Sequence, residues 1–344
     1  MSTLPSHTRV VIIGGGAAGA STLFHLARMG WTDCVLLEAN ELTAGSTWHA
    51  AGNCPNFSGN WTMMKLQQYS TQLYRSLGSE IDYPINYHVT GALRLAQSKD
   101  RMEEFKHISA MAASLGLEFE IQTPEQLRER VPLMETHALE GGLWDAQDGD
   151  IDPAQLTQAY AKGARDLGCK IERFCKVTAI NQTPSGEWQL TTDKGTITAE
   201  IVVNAAGYYA PVVGRMVGRD VPSVTLSHQY LITEAIPALA EMDTKIPLIR
   251  DPDDSYYLRQ ERDGLILGPY EARPELAWQG DGPDDFSFQL LPDALDRLEW
   301  YIEQACARVP VLGEAGIQKV INGPVPYTPD GNPLIGPAPG LRNF

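Results

Sequence analysis

V-V-I-I-G-G-G-A-A-G, residues 10–19, passes from four β-branched apolar side chains directly into glycines at 14, 15, 16 and 19. An apolar run of this length suits a strand covered on both faces, and A-S-T-L-F-H-L-A-R-M-G, which follows from Ala20, reads as a helix. In this strand–turn–helix order Gly14, Gly16 and Gly19 stand in G-x-G-x-x-G register. Gly14 permits the tight turn, Gly16 lets backbone approach a pyrophosphate, and Gly19 allows close helix packing. The helix N-terminus adds amide donors and a positive partial charge. W-T-D-C-V-L-L-E then gives a second strand ending at Glu38, about 20 residues beyond the glycines, where a ribose ligand belongs. The expected fold class is therefore α/β around a Rossmann-like dinucleotide-binding unit. The motif alone does not separate a flavin from a nicotinamide.

Working outward, 344 residues with 43% hydrophobic content suffice for two domains rather than one. A formal charge of -16 disfavours nucleic acid or an anionic membrane as partner, and no stretch approaches the roughly 20 apolar residues of a membrane span. Cys34, Cys54, Cys169, Cys175 and Cys306 form no C-x-x-C pair, and their odd number argues against a disulfide framework. With no apolar signal core in M-S-T-L-P-S-H-T-R, a cytoplasmic location is expected.

Further elements follow from pattern. Helices are expected from about 63 to 77 and from 101 to 115, with a strand in Y-H-V-T-G-A-L-R-L-A (87–96) between them. I-D-P-A-Q-L-T-Q-A-Y-A-K-G-A-R-D-L-G gives a helix with Asp152 as N-cap, Pro153 at its first position and Gly168 as stop. Strands at 170–180 and 188–193 flank a P-S-G turn. V-N-A-A-G runs from a strand into a turn at Asn204 and Gly207. It reads as a second approach of backbone to a dinucleotide or, more simply, as a strand end before a helix. A long strand begins at S-H-Q-Y-L-I-T, and in S-Y-Y-L-R-Q-E alternation puts Tyr257 and Arg259 on one face and Tyr256 on the other. His88, His107 and His137 lack metal-ligand spacing, so no metal site is expected, and His25 reads as packing or surface.

G-S-T-W-H-A-A-G (45–52), T-G-A-L-R-L-A (90–96), D-G-D-I-D-P (148–153), V-N-A-A-G (203–207), S-Y-Y-L-R-Q-E (255–261) and Y-T-P-D-G-N-P-L-I-G (327–336) carry a resemblance. Almost end to end, the sequence resembles the dimethylglycine and sarcosine dehydrogenase family, within the D-amino-acid-oxidase-like flavoproteins. The resemblance implies a discontinuous FAD-binding domain (1–84, 148–221 and 322–344) and a mostly antiparallel substrate domain (85–147 and 222–321). FAD would be held by Gly14, Gly16, Gly19, Glu38, Val177 and Gly207, and bonded through its 8α-methyl group to His49. Without the resemblance, His49 reads as a structural histidine. It also implies His228 and Tyr257 as catalytic residues over the flavin. The residues alone allow His228 as a strand cap and both tyrosines as core. Arg259 could hold a substrate carboxylate, but a structural ion pair is the stronger reading. After A-A-G this chain continues with Asn53 where the family commonly has leucine.

The implied reaction is oxidation of an N-methylated glycine, dimethylglycine before sarcosine. Hydride passes to the flavin, and the resulting iminium yields formaldehyde. Electrons would go on to an electron-transfer flavoprotein or to oxygen. Long family members add a folate-binding domain, so the ending at G-P-A-P-G-L-R-N-F suggests either a fragment of a longer parent, in which tetrahydrofolate would capture the formaldehyde, or a truncated gene model. Two alternatives stand: a non-catalytic homologue like the pyruvate dehydrogenase phosphatase regulatory subunit, which lacks the flavin-linking histidine, and an NAD-dependent dehydrogenase.

Overall fold

The structure, a computed structural model, describes residues 4–344. Residues 1–3 of the expected first segment lie outside the described residues. A six-stranded sheet has the order Val177–Gln182, Trp188–Thr192, Gly195–Asn204, His7–Ile13, Cys34–Leu37, Lys170–Glu172. The last four strands run parallel, and the first two form an antiparallel extension.

The apolar run at the N-terminus is explained by its cover on both sides. Val10 and Ile12 meet the helices Ala17–Arg28 and Pro153–Asp166 through Leu23, Phe24 and Tyr160, while Val11 and Ile13 share the opposite core with Trp188 and Leu190. With neither face wetted, no polar alternation is needed. Asp152 caps the second helix, accepting from the amides of Ala154 and Gln155 at 2.9 and 3.0 Å.

A nine-stranded sheet has the order Glu275–Leu276, Val224–Thr233, Gly264–Pro269, Tyr256–Glu261, Leu248–Asp251, Ala92–Ala96, Gly141–Asp145, Phe119–Gln122, with Ile317–Tyr327 also paired to Val224–Thr233. Its pairings are antiparallel except that between Leu248–Asp251 and Ala92–Ala96. One face packs on the helix Glu299–Arg308 through Leu231, Tyr256, Leu258 and Tyr301. Tyr256 thus enters that core. The chain is accordingly α/β, a dinucleotide-binding sheet joined to a mostly antiparallel one. Among the described residues no helix is long and apolar enough to cross a membrane.

Two expected strands are each broken. Residues 87–96 divide at Gly91, whose φ of 73° turns the chain; a Cβ there would stand 1.9 Å from Trp144 Cη2. Tyr87–His88 joins a small sheet with Asn53–Cys54 and Gly149–Ile151, and only Ala92–Ala96 enters the large one. The run 170–180 divides around Phe174, at φ 53°, because the amides of Phe174 and Cys175 bond to the carbonyls of Asn40 and Glu38. Its halves lie on opposite edges of the six-stranded sheet. The expected domain limit between 321 and 322 falls inside the strand Ile317–Tyr327.

Candidate active site

The three motif glycines meet different demands. A Cβ on Gly14 would stand 2.3 Å from the Ala205 carbonyl oxygen, and one on Gly19 would stand 1.9 Å from that of Gly14. These two are fixed by the protein's own packing of helix against strands. At Gly16 the nearest atom is Thr47 Oγ1 at 3.0 Å, and the glycine lines an open cleft of about 370 Å³, within the ordinary range of cofactor sites. The first helical turn carries no acid, and the Ala17 amide donates to Thr47 Oγ1 at 3.1 Å. Gly14, Glu38, Val177 and Gly207 line the same cleft, whereas Gly19 lies behind it. The Glu38 carboxylate accepts from the amides of Gly15 (2.6 Å) and Asn40 (2.7 Å), and burial raises its pKa. It braces the glycine loop from below while facing the cleft.

His49 ends a short 3₁₀ turn, Ser46–His49, that links this unit to the large sheet. Ser46 Oγ donates to the Pro324 carbonyl at 2.7 Å, and Tyr230 OH donates to the His49 carbonyl at 3.1 Å. The imidazole lies against Gly323, where a Cβ would be 2.2 Å from ring atom Cε1. Only glycine leaves room there. The side chain is buried, and its Nε2 has no hydrogen-bond partner. Burial, assisted by His228, pushes its pKa down to about 4, so the ring is neutral and keeps a free lone pair near pH 7.

Gly323 pairs across the strands with His228, which places His228 beside His49. Burial, then the Arg297 charge, lowers the pKa of His228 as well. The His228 ring lies 6.0 Å from that of Tyr270, which is 5.9 Å from that of Tyr257. A Cβ on Gly268 would stand 2.2 Å from Tyr257 Cζ, so this second strand glycine exists to seat the tyrosine. Burial raises the Tyr257 phenol well above its ordinary pKa, keeping the proton on it. The fold therefore gathers His49, His228 and Tyr257 at one place, apart from the lining of the nucleotide cleft.

Tyr230, Tyr270, Gly268 and Gly323 belong to this gathering and were not singled out in the sequence. The tyrosines read as ordinary strand aromatics, but a lone glycine inside a strand pattern is a signal of close approach that both glycines carry. Arg259 is committed within the protein, donating to Asp150 at 2.9 Å and to Glu261 at 2.7 Å. His25 packs against the Ser21 carbonyl (2.7 Å) and Tyr69 OH (3.0 Å).

An open glycine loop at a helix N-terminus, a buried acid and an orphaned imidazole nitrogen fit a bound flavin dinucleotide. Comparison with known proteins agrees. Rat (Rattus norvegicus) mitochondrial dimethylglycine dehydrogenase is 41% identical over 339 residues, covering 97% of this chain and 40% of that protein. Mouse (Mus musculus) mitochondrial sarcosine dehydrogenase is 37% identical over 347 residues, covering 99% and 37%. The chain thus spans less than half the length of these relatives. The crystal structure of L-proline dehydrogenase from P. horikoshii matches with a TM-score of 0.86 at 25% identity, covering 99% of this chain and 87% of that one. Residues 9–344 match the family model described as FAD dependent oxidoreductase, and with the glycine loop and sheet order that such a cofactor requires, the chain belongs to that family.

Proposed function

We propose that this chain is the flavin-bearing part of an enzyme that oxidatively demethylates an N-methylated glycine, dimethylglycine first and sarcosine second. The observation that carries the reading is the buried, neutral, unpartnered imidazole of His49, set against Gly323 with His228 beside it. Gly14, Gly16, Glu38, Val177 and Gly207 would hold FAD along the cleft, with Gly19 keeping the helix N-terminus close behind it. When bound, the flavin accepts a hydride equivalent from the substrate's methyl carbon.

The chain's own groups prepare that transfer. His49 offers a lone pair at neutral pH; a bond from it to the flavin's 8α-methyl carbon would replace one C–H bond there, with two protons lost and two electrons passed to the same external acceptor that serves the substrate reaction. The substrate amine must react unprotonated, and His228, held neutral by burial and by Arg297, can take its proton. Tyr257 keeps its phenolic proton and can orient the amine or carboxylate by donating a hydrogen bond. The iminium so formed takes up water to give the demethylated amine and formaldehyde, which is released, or its one-carbon unit passes to tetrahydrofolate in another domain of the parent protein. Electrons leave for an electron-transfer flavoprotein or oxygen. The first sheet with residues 1–84, 148–221 and 322–344 forms the FAD-binding domain in this reading, and the remainder forms the substrate domain. Five free cysteines suit a reducing compartment, and we assign the cytoplasm.

The test is acid denaturation of the full-length protein. Flavin fluorescence is expected to stay with the polypeptide and to vanish from it in His49→Ala. A colourless wild-type protein, inert toward both N-methylglycines, would sink the reading in favour of a non-catalytic homologue.

A further inference from the structure

Between the strand Glu275–Leu276 and the turn Leu295–Arg297, residues 277–294 contain no helix or strand. Loops longer than about 12–15 residues with no structure of their own are uncommon in a compact fold and usually serve a function. Both ends of this one are fixed to the large sheet, the Ala277 amide donating to the Thr225 carbonyl at 2.9 Å and the Leu291 amide to that of Asn322 at 2.8 Å. The middle crosses to the nucleotide-binding unit. Tyr208 OH donates to the Phe286 carbonyl at 2.8 Å, Tyr209 OH donates to that of Pro283, the Phe288 amide donates to the Ala44 carbonyl at 3.0 Å, and Lys176 Nζ stands 3.4 Å from the Asp284 carboxylate. All four partners, Ala44, Lys176, Tyr208 and Tyr209, line the cleft, as do Asp284 and Phe286 themselves. Trp278 packs on Tyr208 and Phe286, with ring centres 5.4 and 5.1 Å apart. Outside the lining, Arg215 donates to both carboxylate oxygens of Asp281.

The crossing segment is therefore held by single hydrogen bonds and by ion pairs open to solvent, each weak alone and together easily undone. It is also acidic, with Asp281, Asp284 and Asp285 close together beside a cleft suited to a pyrophosphate. Such charges would repel that ligand, and Arg215 and Lys176 answer two of them. From this we propose that residues 278–288 form a strap that lifts to admit FAD and, once lowered, retains it in the cleft. The inference rests on the cleft being the FAD site and deepens that reading: a lowered strap keeps the cofactor in place before any bond to His49 forms.

The test uses full-length, flavin-free His49→Ala protein, in which FAD binds without a covalent bond, alone and with Arg215→Gln, Asp281→Asn or both. Neither added position lines the cleft. Stopped-flow FAD fluorescence gives the association rate, and a chase with excess competing apoflavoprotein gives the dissociation rate, with circular dichroism checking each fold. Removing the anchor should speed both rates about threefold to fivefold, the scale of one exposed ion pair. The double variant should match either single one, because both remove the same contact, and added salt should narrow the gap between parent and variants. The two substitutions change net charge in opposite senses, so a general electrostatic effect on the anionic cofactor would move association up in one and down in the other. A lifted strap moves it up in both. Association unchanged, or shifted oppositely by the two, overturns the strap and leaves the cleft as the FAD site. No FAD binding by any of these proteins rejects the cleft reading, and the strap with it.

Discussion

At the scale of single residues, His49 has a consequence apart from catalysis. Its pKa in the folded chain is about 4, against an ordinary 6.5. Between those values the unfolded chain binds more protons than the folded one, so stability rises with pH across this window. The contribution is complete above about 6.5, is lost as pH falls toward 4, and changes no further below that. His228 shifts in the same direction. In flavin-free protein, urea unfolding at pH 7 and pH 4.5 should show wild type losing about 2–3 kcal/mol more than His49→Gln; equal losses would mean the imidazole is not buried neutral. The sequence made His49 visible through its setting in S-T-W-H, but not through any property of the residue itself. Its role depends on Gly323, more than 270 positions away in the chain, and no local pattern reports such a meeting.

At the scale of elements, what was readable was local. The strand, glycine turn and helix of residues 7–28 follow from neighbours in the chain, as does the helix capped by Asp152. The run 170–180 failed as one strand because distant carbonyls at positions 38 and 40 capture its amides and turn it under the sheet. Tertiary hydrogen bonds there outweigh strand propensity. In the strand Gly264–Pro269 the lone Gly268 signals a close approach but not its partner, and it is Tyr257 that it seats. Gly268→Ala would put a methyl 2.2 Å from Tyr257 Cζ and force the ring to move. We expect a loss of about 1–3 kcal/mol in stability from overpacking and at least a tenfold fall in kcat, roughly 1.4 kcal/mol of barrier. Adding Tyr257→Phe should then cost little more, since two changes acting through one group are not additive. Full additivity in kinetics would show that the glycine serves the strand and not the tyrosine.

For the whole molecule, one seam between the two sheets runs beside the cleft. Ser46 and His49 touch the strand Ile317–Tyr327, the Tyr208 hydroxyl donates to the Phe286 carbonyl at 2.8 Å, and the Phe288 amide donates to that of Ala44 at 3.0 Å. A flavin lying in the cleft and bonded at His49 would fasten both units at this seam, so its loss should loosen the molecule as a whole and not only the glycine loop. Mode of attachment then decides how stability responds to free cofactor. A covalently loaded protein has no site left to fill, and its melting temperature should not change with added FAD. His49→Ala keeps the cleft but must bind by mass action, which at a hundredfold excess over Kd adds about 2.7 kcal/mol. For a chain of this size that raises Tm by roughly 3–4 °C. Thermal melts of full-length wild type and His49→Ala across a series of FAD concentrations separate the cases. A wild type whose Tm climbs with FAD as the variant's does would leave His49 as packing against Gly323, with the flavin held by the cleft alone.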